Sequence, residues 1–210
     1  MRPRETAGRA FQDKGLRVLF ALLAQPALVS SPYRSIAQSA GVAHGTVGIV
    51  MAELKRLGFV GDIGGRRRLL QGERLLRQWV DAYGRTLRPK LLLGNYRASD
   101  IGWWNEIDPS EADVVLSGEA AVARLSGVLV PQIITLYGNR AAANRMQIQH
   151  RMTPDAHGNV EILSRFWRFD QQPPELAPAL LIYADLLATG DARCIEAAAT
   201  LEEDLFARLK

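Results

Sequence analysis

Residues 44–49 carry side chains suited to reading the edges of DNA bases. His44 and Thr46 can exchange hydrogen bonds with base edges, and Ile49 can contact a thymine methyl group. Gly45 and Gly48 have no Cβ and therefore permit close approach of a partner. These five residues predict base contacts in a DNA major groove.

A second set of residues around the first could bind phosphate oxygens. Its members are Ser35, Lys55, Arg56, Arg66, Arg67 and Arg68. Successive side chains of a strand point to opposite faces, so the arginine triplet places charge on both faces of a narrow hairpin. Such contacts position a protein on DNA without reading its sequence. A solvated charge run on an edge strand is the alternative interpretation of the triplet.

A pair of helices must position the base-reading residues. The stretch 35–57, SIAQSAGVAHGTVGIVMAELKRL, has the spacing of a helix-turn-helix, with Gly41 at the corner between the helices. Apolar residues repeat on one face of each helix. They are Ile36, Ala37 and Ala40 on the first helix and Val47, Val50, Met51 and Leu54 on the second. A two-helix corner inside an ordinary helical domain is the alternative.

Further elements flank this pair. The spacing predicts a supporting helix over residues 11–25, and Ser31 is predicted to cap the first helix of the motif. Residues 59–71, FVGDIGGRRRLLQ, predict two short strands joined by a Gly64-Gly65 turn. This order of elements resembles the winged-helix transcription regulators.

Composition and charge favour a two-module protein. Hydrophobic residues make up 48% of the 210, and no apolar run reaches the roughly 18 residues that a membrane helix needs. Residues 1–90 hold 16 Lys and Arg against 6 Asp and Glu, giving +10, whereas residues 91–210 hold 10 against 16, giving −6. A polyanion is therefore attracted to the first part. No secretion signal is visible, and a single cysteine, Cys194, fits a reducing compartment, so the expected location is the cytoplasm.

The predicted fold class is α/β, more specifically α+β, in three parts. Residues 1–72 form the winged helix-turn-helix, 73–90 a connector helix that Pro89 ends, and 91–210 a mixed α/β domain. The connector helix could pack on either domain or pair with its copy in a homodimer. In the last part we predict a hairpin of residues 147–152 and 160–169.

The stretch SGEAAVARL, residues 117–125, has a catalytic interpretation as an alternative. A Ser-Gly turn that opens a helix after a strand is similar to the motif by which nucleotidyltransferases hold a triphosphate, and it leaves open a degenerate nucleotidyltransferase-like fold. The following strand, QIITLYG, lacks the carboxylates that would bind magnesium. No P-loop, serine elbow or Cys/His metal spacing occurs, so we predict no catalytic residue, no metal and no cofactor.

Other chemically reactive residues of the last part also favour structural roles. Asp191 is expected to cap the final helix, Asp185 to make a polar contact and Cys194 to be a buried thiol. The aromatic residues Trp103, Trp104, Phe166 and Trp167 are interpreted as core, with a partner-binding patch as the alternative.

Several segments of residues 90–200 carry a family resemblance. They are LLLGNYRASD, the pair Trp103 and Trp104, SGEAAVARLSG, QIITLYG, DAHGNVEILSRFW and IYADLLATGDARCIEAA. Their order behind a winged helix resembles the type IV antitoxin regulators of abortive-infection (AbiE-type) toxin–antitoxin systems. The resemblance implies a repressor that binds inverted repeats in double-stranded DNA before its own operon and counteracts a nucleotidyltransferase toxin, without necessarily contacting it. The alternatives are a winged-helix regulator whose second domain senses a small ligand and a nucleic-acid-directed nucleotidyltransferase.

Overall fold

The computed structural model describes residues 8–109, 111–127 and 129–209, which form two compact units. The first unit comprises the described residues up to Leu87, together with Phe166–Phe169 and residues 204–209. The second comprises Arg88–Arg165 and Asp170–Glu203. Helices and strands are mixed, which confirms the α+β class. The division expected near residue 90 lies close to the break after Leu87, but the return of two later segments to the first unit was not predicted.

The first unit holds the expected helices and hairpin. Its elements are α1 (Asp13–Ala24), α2 (Tyr33–Ala40), α3 (His44–Arg56), β1 (Val60–Ile63), β2 (Arg66–Leu69) and α4 (Gly72–Ala82). Short 3-10 turns, Arg9–Phe11 and Pro26–Ser30, flank α1. Helix α2 begins after Pro32 rather than after Ser31, so the predicted cap at Ser31 is wrong.

An aromatic cluster around Phe20 forms the centre of the first unit. The Phe20 ring lies 5.4 Å from Trp79, 5.0 Å from Phe166 and 6.0 Å from Trp167, measured between ring centroids. The indole N–H of Trp79 donates to the carbonyl of Leu16 at 2.8 Å, so this buried polar atom is satisfied. The prediction that Phe166 and Trp167 are core residues is therefore confirmed.

The connector helix does not end at Pro89. Helix α4 widens into a π-helical turn, Tyr83–Leu87, which leads directly into α5, Arg88–Leu91. Pro89 is the second residue of α5, and the continuous helical stretch runs past it to Leu91. The prediction that this proline stops the helix is wrong.

The second unit is a five-stranded sheet with flanking helices. Its strands are β3 (Leu92–Arg97), β4 (Val114–Ser117), β5 (Ile134–Gly138), β6 (Thr153–Pro154) and β7 (Val160–Ser164), in the order β4-β5-β7-β3-β6. Only the β5–β7 pair is parallel among these described pairs. The helices after α5 are α6 (Gly118–Ser126), α7 (Arg140–Gln149), α8 (Ala179–Ala188) and α9 (Ala192–Ala207), the last of which ends in the first unit.

The predicted hairpin of residues 147–152 and 160–169 is wrong. Residues 147–149 continue α7, with Met146 buried and Ile148 exposed as the helical period requires. Strand β7 pairs with β5 on one side and with β3 on the other, and its residues Val160, Ile162 and Leu163 are fully buried, as is typical of a central strand. The short β6 pairs with β3 instead.

A buried carboxylate joins several elements of the second unit. The side chain of Asp185 on α8 is 1% exposed and accepts hydrogen bonds from Arg88 Nε at 3.0 Å and Ser117 Oγ at 2.7 Å. The Tyr137 hydroxyl donates to the same carboxylate at 3.0 Å. Arg88 also reaches Glu161 Oε2 at 2.6 Å. These donors compensate the desolvation of a buried charge, so α5, β4 and β5 are all tied to α8.

Replacing Arg88 with methionine should destabilise the second unit. The change leaves the Asp185 carboxylate buried without its cation, which we expect to cost about 2–4 kcal/mol of unfolding free energy. The control is Arg97→Met, which breaks an ion pair to Asp155 and a hydrogen bond to the carbonyl of His157; the Arg97 side chain is 52% exposed, so this change should cost clearly less than the Arg88 change. Denaturant unfolding of both variants gives the comparison. Equal losses would mean that Asp185 does not depend on Arg88.

Candidate nucleic-acid interface

The corner between α2 and α3 depends on Gly41. Its φ and ψ of 64° and 37° lie in the left-handed region, where a glycine has no steric penalty. A Cβ at this position would lie 3.1 Å from the carbonyl oxygen of Phe166, so space as well as conformation favours glycine. The amide of Val42 then donates to the carbonyl of Ala37 at 3.0 Å and closes the turn. This geometry confirms the predicted helical pair.

The buried faces of the two helices are those that the sequence predicts. The buried residues are Ile36, Ala37 and Ala40 on α2 and Val47, Val50, Met51 and Leu54 on α3. Because these rows are buried, the rotation of α3 about its axis is set by packing.

The predicted base-reading residues lie on the other side of α3. His44, Gly45 and Ile49 are exposed, and Thr46 and Gly48 are half-buried. Around Gly45 and Gly48, no described atom lies within 4 Å of the position that a Cβ would occupy. The backbone of α3 is therefore open to close approach at both glycines. Base contact by these five residues stays a prediction.

Strands β1 and β2 form the wing. Gly64 and Gly65 both have positive φ, 58° and 76°, as a two-residue type I′ turn requires. The register places Ile63 opposite Arg66 and Asp62 opposite Arg67. A backbone hydrogen bond of 2.7 Å from Leu70 to Phe59 extends the pairing at the base. The hairpin predicted from the glycine pair is confirmed.

The three arginines of the wing differ in their contacts. Arg67 donates from Nε to the carbonyl of Val29 at 3.0 Å and from Nη2 to that of Ser31 at 2.5 Å. Arg66 and Arg68 are exposed, and neither has a hydrogen bond or ion pair to any residue that the structure describes. Arg67 thus attaches the wing to the turn before α2, and phosphate binding remains a prediction for its two neighbours.

Tyr33 connects Arg67 with the start of α3. The Arg67 guanidinium lies 4.6 Å from the centroid of the Tyr33 ring, within the range of a cation–π contact. The other ring near Tyr33 is that of His44, with centroids 6.3 Å apart. A single side chain of α2 therefore lies near both the wing and the first residue of α3.

The remaining predicted phosphate contacts are accessible to different degrees. Lys55 pairs with Asp62 at 2.7 Å, and both side chains are exposed. An exposed pair of this kind contributes about 0–1 kcal/mol, so a phosphate could replace the carboxylate at little cost. Arg56 is exposed at the end of α3, and Ser35 is half-buried on α2.

Two basic residues near this surface were not predicted. Arg34 is exposed on α2 next to Ser35, and only its position beside the motif could have indicated it. Arg208 lines a cavity of about 260 Å³ together with the three wing arginines. It belongs to the chain end, which packs on the first unit, since a Cβ on Gly72 would lie 2.8 Å from Leu209 Cβ. No local sequence signal connects Arg208 with the wing.

In the nucleotidyltransferase-like turn of the second unit, polar side chains are bonded to other groups of the protein. Gly118 has a φ of 53°, and the hydroxyl of Ser117 is bonded to Asp185. Glu119 is 3% exposed and accepts from the amide of Gln132 at 3.0 Å. Across the described ranges there is no group of three His, Cys, Asp or Glu placed to hold a metal ion. The turn therefore has the contacts of a structural strand-to-helix connection.

The predicted roles of Cys194 and Asp191 are confirmed. Cys194 is fully buried, and this burial raises the pKa of its thiol. Asp191 Oδ1 accepts from the amide of Arg193 at 2.9 Å, so its side chain caps α9.

A comparison with protein families gives the chain its assignment. Residues 68–207 match a family described as transcriptional regulator, AbiEi antitoxin, type IV TA system. The chain belongs to this AbiEi antitoxin family. Two thirds of the chain are matched, from β2 through α9, whereas α2 and α3 lie before the matched region. No curated protein and no solved structure gives a significant match.

The family assignment confirms the resemblance found on residues 90–200. Members are transcriptional regulators and antitoxins, which is a regulatory class rather than a class of enzymes. Among the described residues, no helix is long and apolar enough to cross a membrane.

Removing the Arg67 side chain should destabilise the first unit, whereas removing that of Arg66 or Arg68 should not. Arg67→Ala deprives the carbonyls of Val29 and Ser31 of their donor, and we expect a loss of about 1–3 kcal/mol in unfolding free energy. The matched variants Arg66→Ala and Arg68→Ala should change this quantity by less than about 0.5 kcal/mol because both side chains are exposed. Denaturant unfolding measures all three. Similar values would show that the triplet acts as one solvated group.

Proposed function

We propose that this protein is a DNA-binding repressor and the antitoxin of a type IV toxin–antitoxin operon. The observation that carries the proposal is the open face of α3, where His44, Gly45, Thr46, Gly48 and Ile49 lie outside the packed core. A helix with one buried row and one polar, glycine-containing row fits a major groove. The family's description as transcriptional regulators supports the same role.

The surrounding charges suit the phosphate backbone. Arg66 and Arg68 on the wing, Arg56 at the end of α3 and Arg34 on α2 are all exposed. The excess of +10 over residues 1–90 would attract duplex DNA from a distance, and the free guanidinium groups would then hold it in register. We assign Lys55 and Ser35 to the same backbone contacts.

The operator is proposed to contain inverted repeats before the protein's own operon. Inverted half-sites bind a two-fold symmetric homodimer, with centres about one helical turn or a multiple of it apart. Occupation of such a site would repress the operon and so regulate the antitoxin's own synthesis.

The second unit is proposed to counteract a nucleotidyltransferase toxin without catalysis of its own. Ser117 and Glu119 are hydrogen-bonded to other residues of the protein, and β5 reads ITLYG without a carboxylate. Magnesium-dependent nucleotide transfer needs such carboxylates. These features support a regulatory unit. A polar cavity in this unit favours, as a second candidate, a winged-helix regulator that senses a small ligand.

Experiments on DNA binding should use the full chain. Phe166 and Trp167 pack on Phe20 and belong to the first unit, so a fragment that ends near residue 90 would lack part of its own core.

Replacing Arg66 or Arg68 of the wing with alanine should weaken DNA binding to a similar extent for any DNA sequence. Arg66→Ala and Arg68→Ala should each reduce affinity for operator and random duplexes by similar factors, and each lost phosphate contact should flatten the slope of log K against log salt by about one unit. Arg151→Ala, an exposed arginine of the second unit, is the matched control and should leave the affinities and the slope unchanged. Binding titrations at several salt concentrations measure the slopes. A slope that neither wing variant changes would contradict this assignment.

Alanine at His44 or Thr46 should instead weaken binding to the operator alone. A lost base contact is felt only where the right base is present, so we expect about 1–3 kcal/mol at the operator and much less on random DNA. His157→Ala, an exposed histidine of the second unit, is the matched control and should change neither. Paired titrations at one salt concentration and a thermal melt give the answer. Equal losses of affinity for both duplexes would mean that these residues contact the DNA phosphate backbone rather than the bases.

A further inference from the structure

A cavity of about 260 Å³ in the first unit brings four arginines together. Arg66, Arg67 and Arg68 come from β2, and Arg208 follows the end of α9. The rest of the wall comes from the turn Pro26–Ser30 and two leucines. No Asp or Glu is among the described residues that line it. A cavity with this lining attracts an anion and repels a cation.

Packing of the neighbouring residues holds Arg208 beside the wing. The Phe206 ring lies under the Arg77 guanidinium of α4, 4.7 Å from its carbon to the ring centroid. A Cβ on Gly72 would lie 2.8 Å from Leu209 Cβ and 2.9 Å from the Leu209 carbonyl oxygen, so the two backbones are in close contact. Because α4 begins at Gly72, directly after the wing strands, this contact fixes Arg208 next to β2.

Three of the four guanidinium groups are available to an anion. Arg66, Arg68 and Arg208 are exposed, and none has a side-chain hydrogen bond or ion pair to any residue that the structure describes. Asp204, one helical turn before Arg208, is exposed and forms no ion pair with it. Like charges that share a cavity repel one another, and an anion between them removes that repulsion. Guanidinium groups bind phosphate through parallel N–H···O bonds, so phosphate is the anion that suits this set best.

The cavity lies close to the helix that is proposed to read the bases. The Arg67 guanidinium in its wall lies 4.6 Å from the centroid of the Tyr33 ring. That ring lies 6.3 Å from the ring of His44, the first residue of α3. The major groove of B-DNA is about 12 Å wide, so the phosphates that border it lie within about this distance of a side chain inside it. One aromatic side chain separates the cavity from α3, and a backbone phosphate fits that distance.

We propose that Arg208 binds the DNA phosphate backbone and forms, with Arg66 and Arg68, one phosphate-binding cleft. The inference rests on the proposed function, since it adds to the DNA contacts of the wing a residue that is distant from it in sequence. The guanidinium would donate to phosphate oxygens, which carry no sequence information. Its contribution should therefore be the same on every duplex.

The test replaces Arg208 with glutamine in the full-length protein and measures binding to two duplexes at several salt concentrations. One duplex is the DNA immediately upstream of the protein's own coding sequence, and the other is a shuffled duplex of the same composition. Arg208→Gln should weaken binding to both about threefold to tenfold and flatten the slope of log K against log salt by about one unit. The thermal melt should stay unchanged, because the side chain is exposed and has no described partner.

Two further variants separate charge from structure. Arg208→Lys keeps the positive charge and should retain the salt slope of the parent. Arg151→Gln removes an exposed arginine of the second unit and should bind both duplexes like the parent. A slope that Arg208→Lys flattens as much as Arg208→Gln would overturn the proposal, because the loss would then not depend on the charge.

Failure of this inference and failure of the proposed function give different results. If the parent binds DNA and Arg66→Ala flattens the slope, but Arg208→Gln changes neither affinity nor slope, only this inference is wrong. If the parent binds neither duplex, both are wrong. A free anion is the other source of phosphate for the cleft. If Arg208→Gln leaves DNA binding unchanged but abolishes a rise in melting temperature that millimolar pyrophosphate gives the parent, the cleft holds a small anion and the proposal is overturned.

Discussion

The rotation of α3 about its own axis is the constraint on which the functional account depends. Val47, Val50, Met51 and Leu54 are buried, so that helix cannot present any other side to a partner without opening the core. Gly41 permits the corner that brings this row against α2, in a backbone conformation and a space that both favour glycine. That packing leaves the side chains of His44, Thr46 and Ile49 outside the core, where a partner can contact them.

Two arginines of the basic part of the sequence bind other groups of the protein, so the net charge alone does not show which residues are available to DNA. Arg67 belongs to the basic wing, yet it binds two backbone carbonyls and lies over Tyr33. Arg88 lies in the basic part of the sequence, yet it neutralises the buried Asp185 and pairs with Glu161. Each stabilises the unit in which it lies. The positive charge that can meet DNA is therefore smaller than the sequence total, and it is concentrated on side chains such as Arg66 and Arg68.

Local patterns predicted the first unit well, and long-range contacts account for what was missed. The three-and-four spacing, the corner glycine and the Gly64-Gly65 turn act over a few residues, so the helices and the wing could be read from them. The partners of Arg67 lie 36 and 38 residues away, and Phe166 reaches Phe20 across most of the chain. The position of β7 between β5 and β3 depends on burial on both faces, which a short apolar run alone does not specify. The cavity lined by Arg208 and the wing arginines likewise joins residues 26–30, 66–69 and 208–209 and has no local signature.

The most direct test of the central claim is a pair of binding titrations with the full-length protein. One duplex is the DNA immediately upstream of the protein's own coding sequence, and the other is a shuffled duplex of the same length and composition. At one salt concentration near physiological, a repressor with base contacts from α3 should bind the upstream duplex at least about 10³-fold more tightly. Equal affinities for the two duplexes, or no binding to either, would contradict the account.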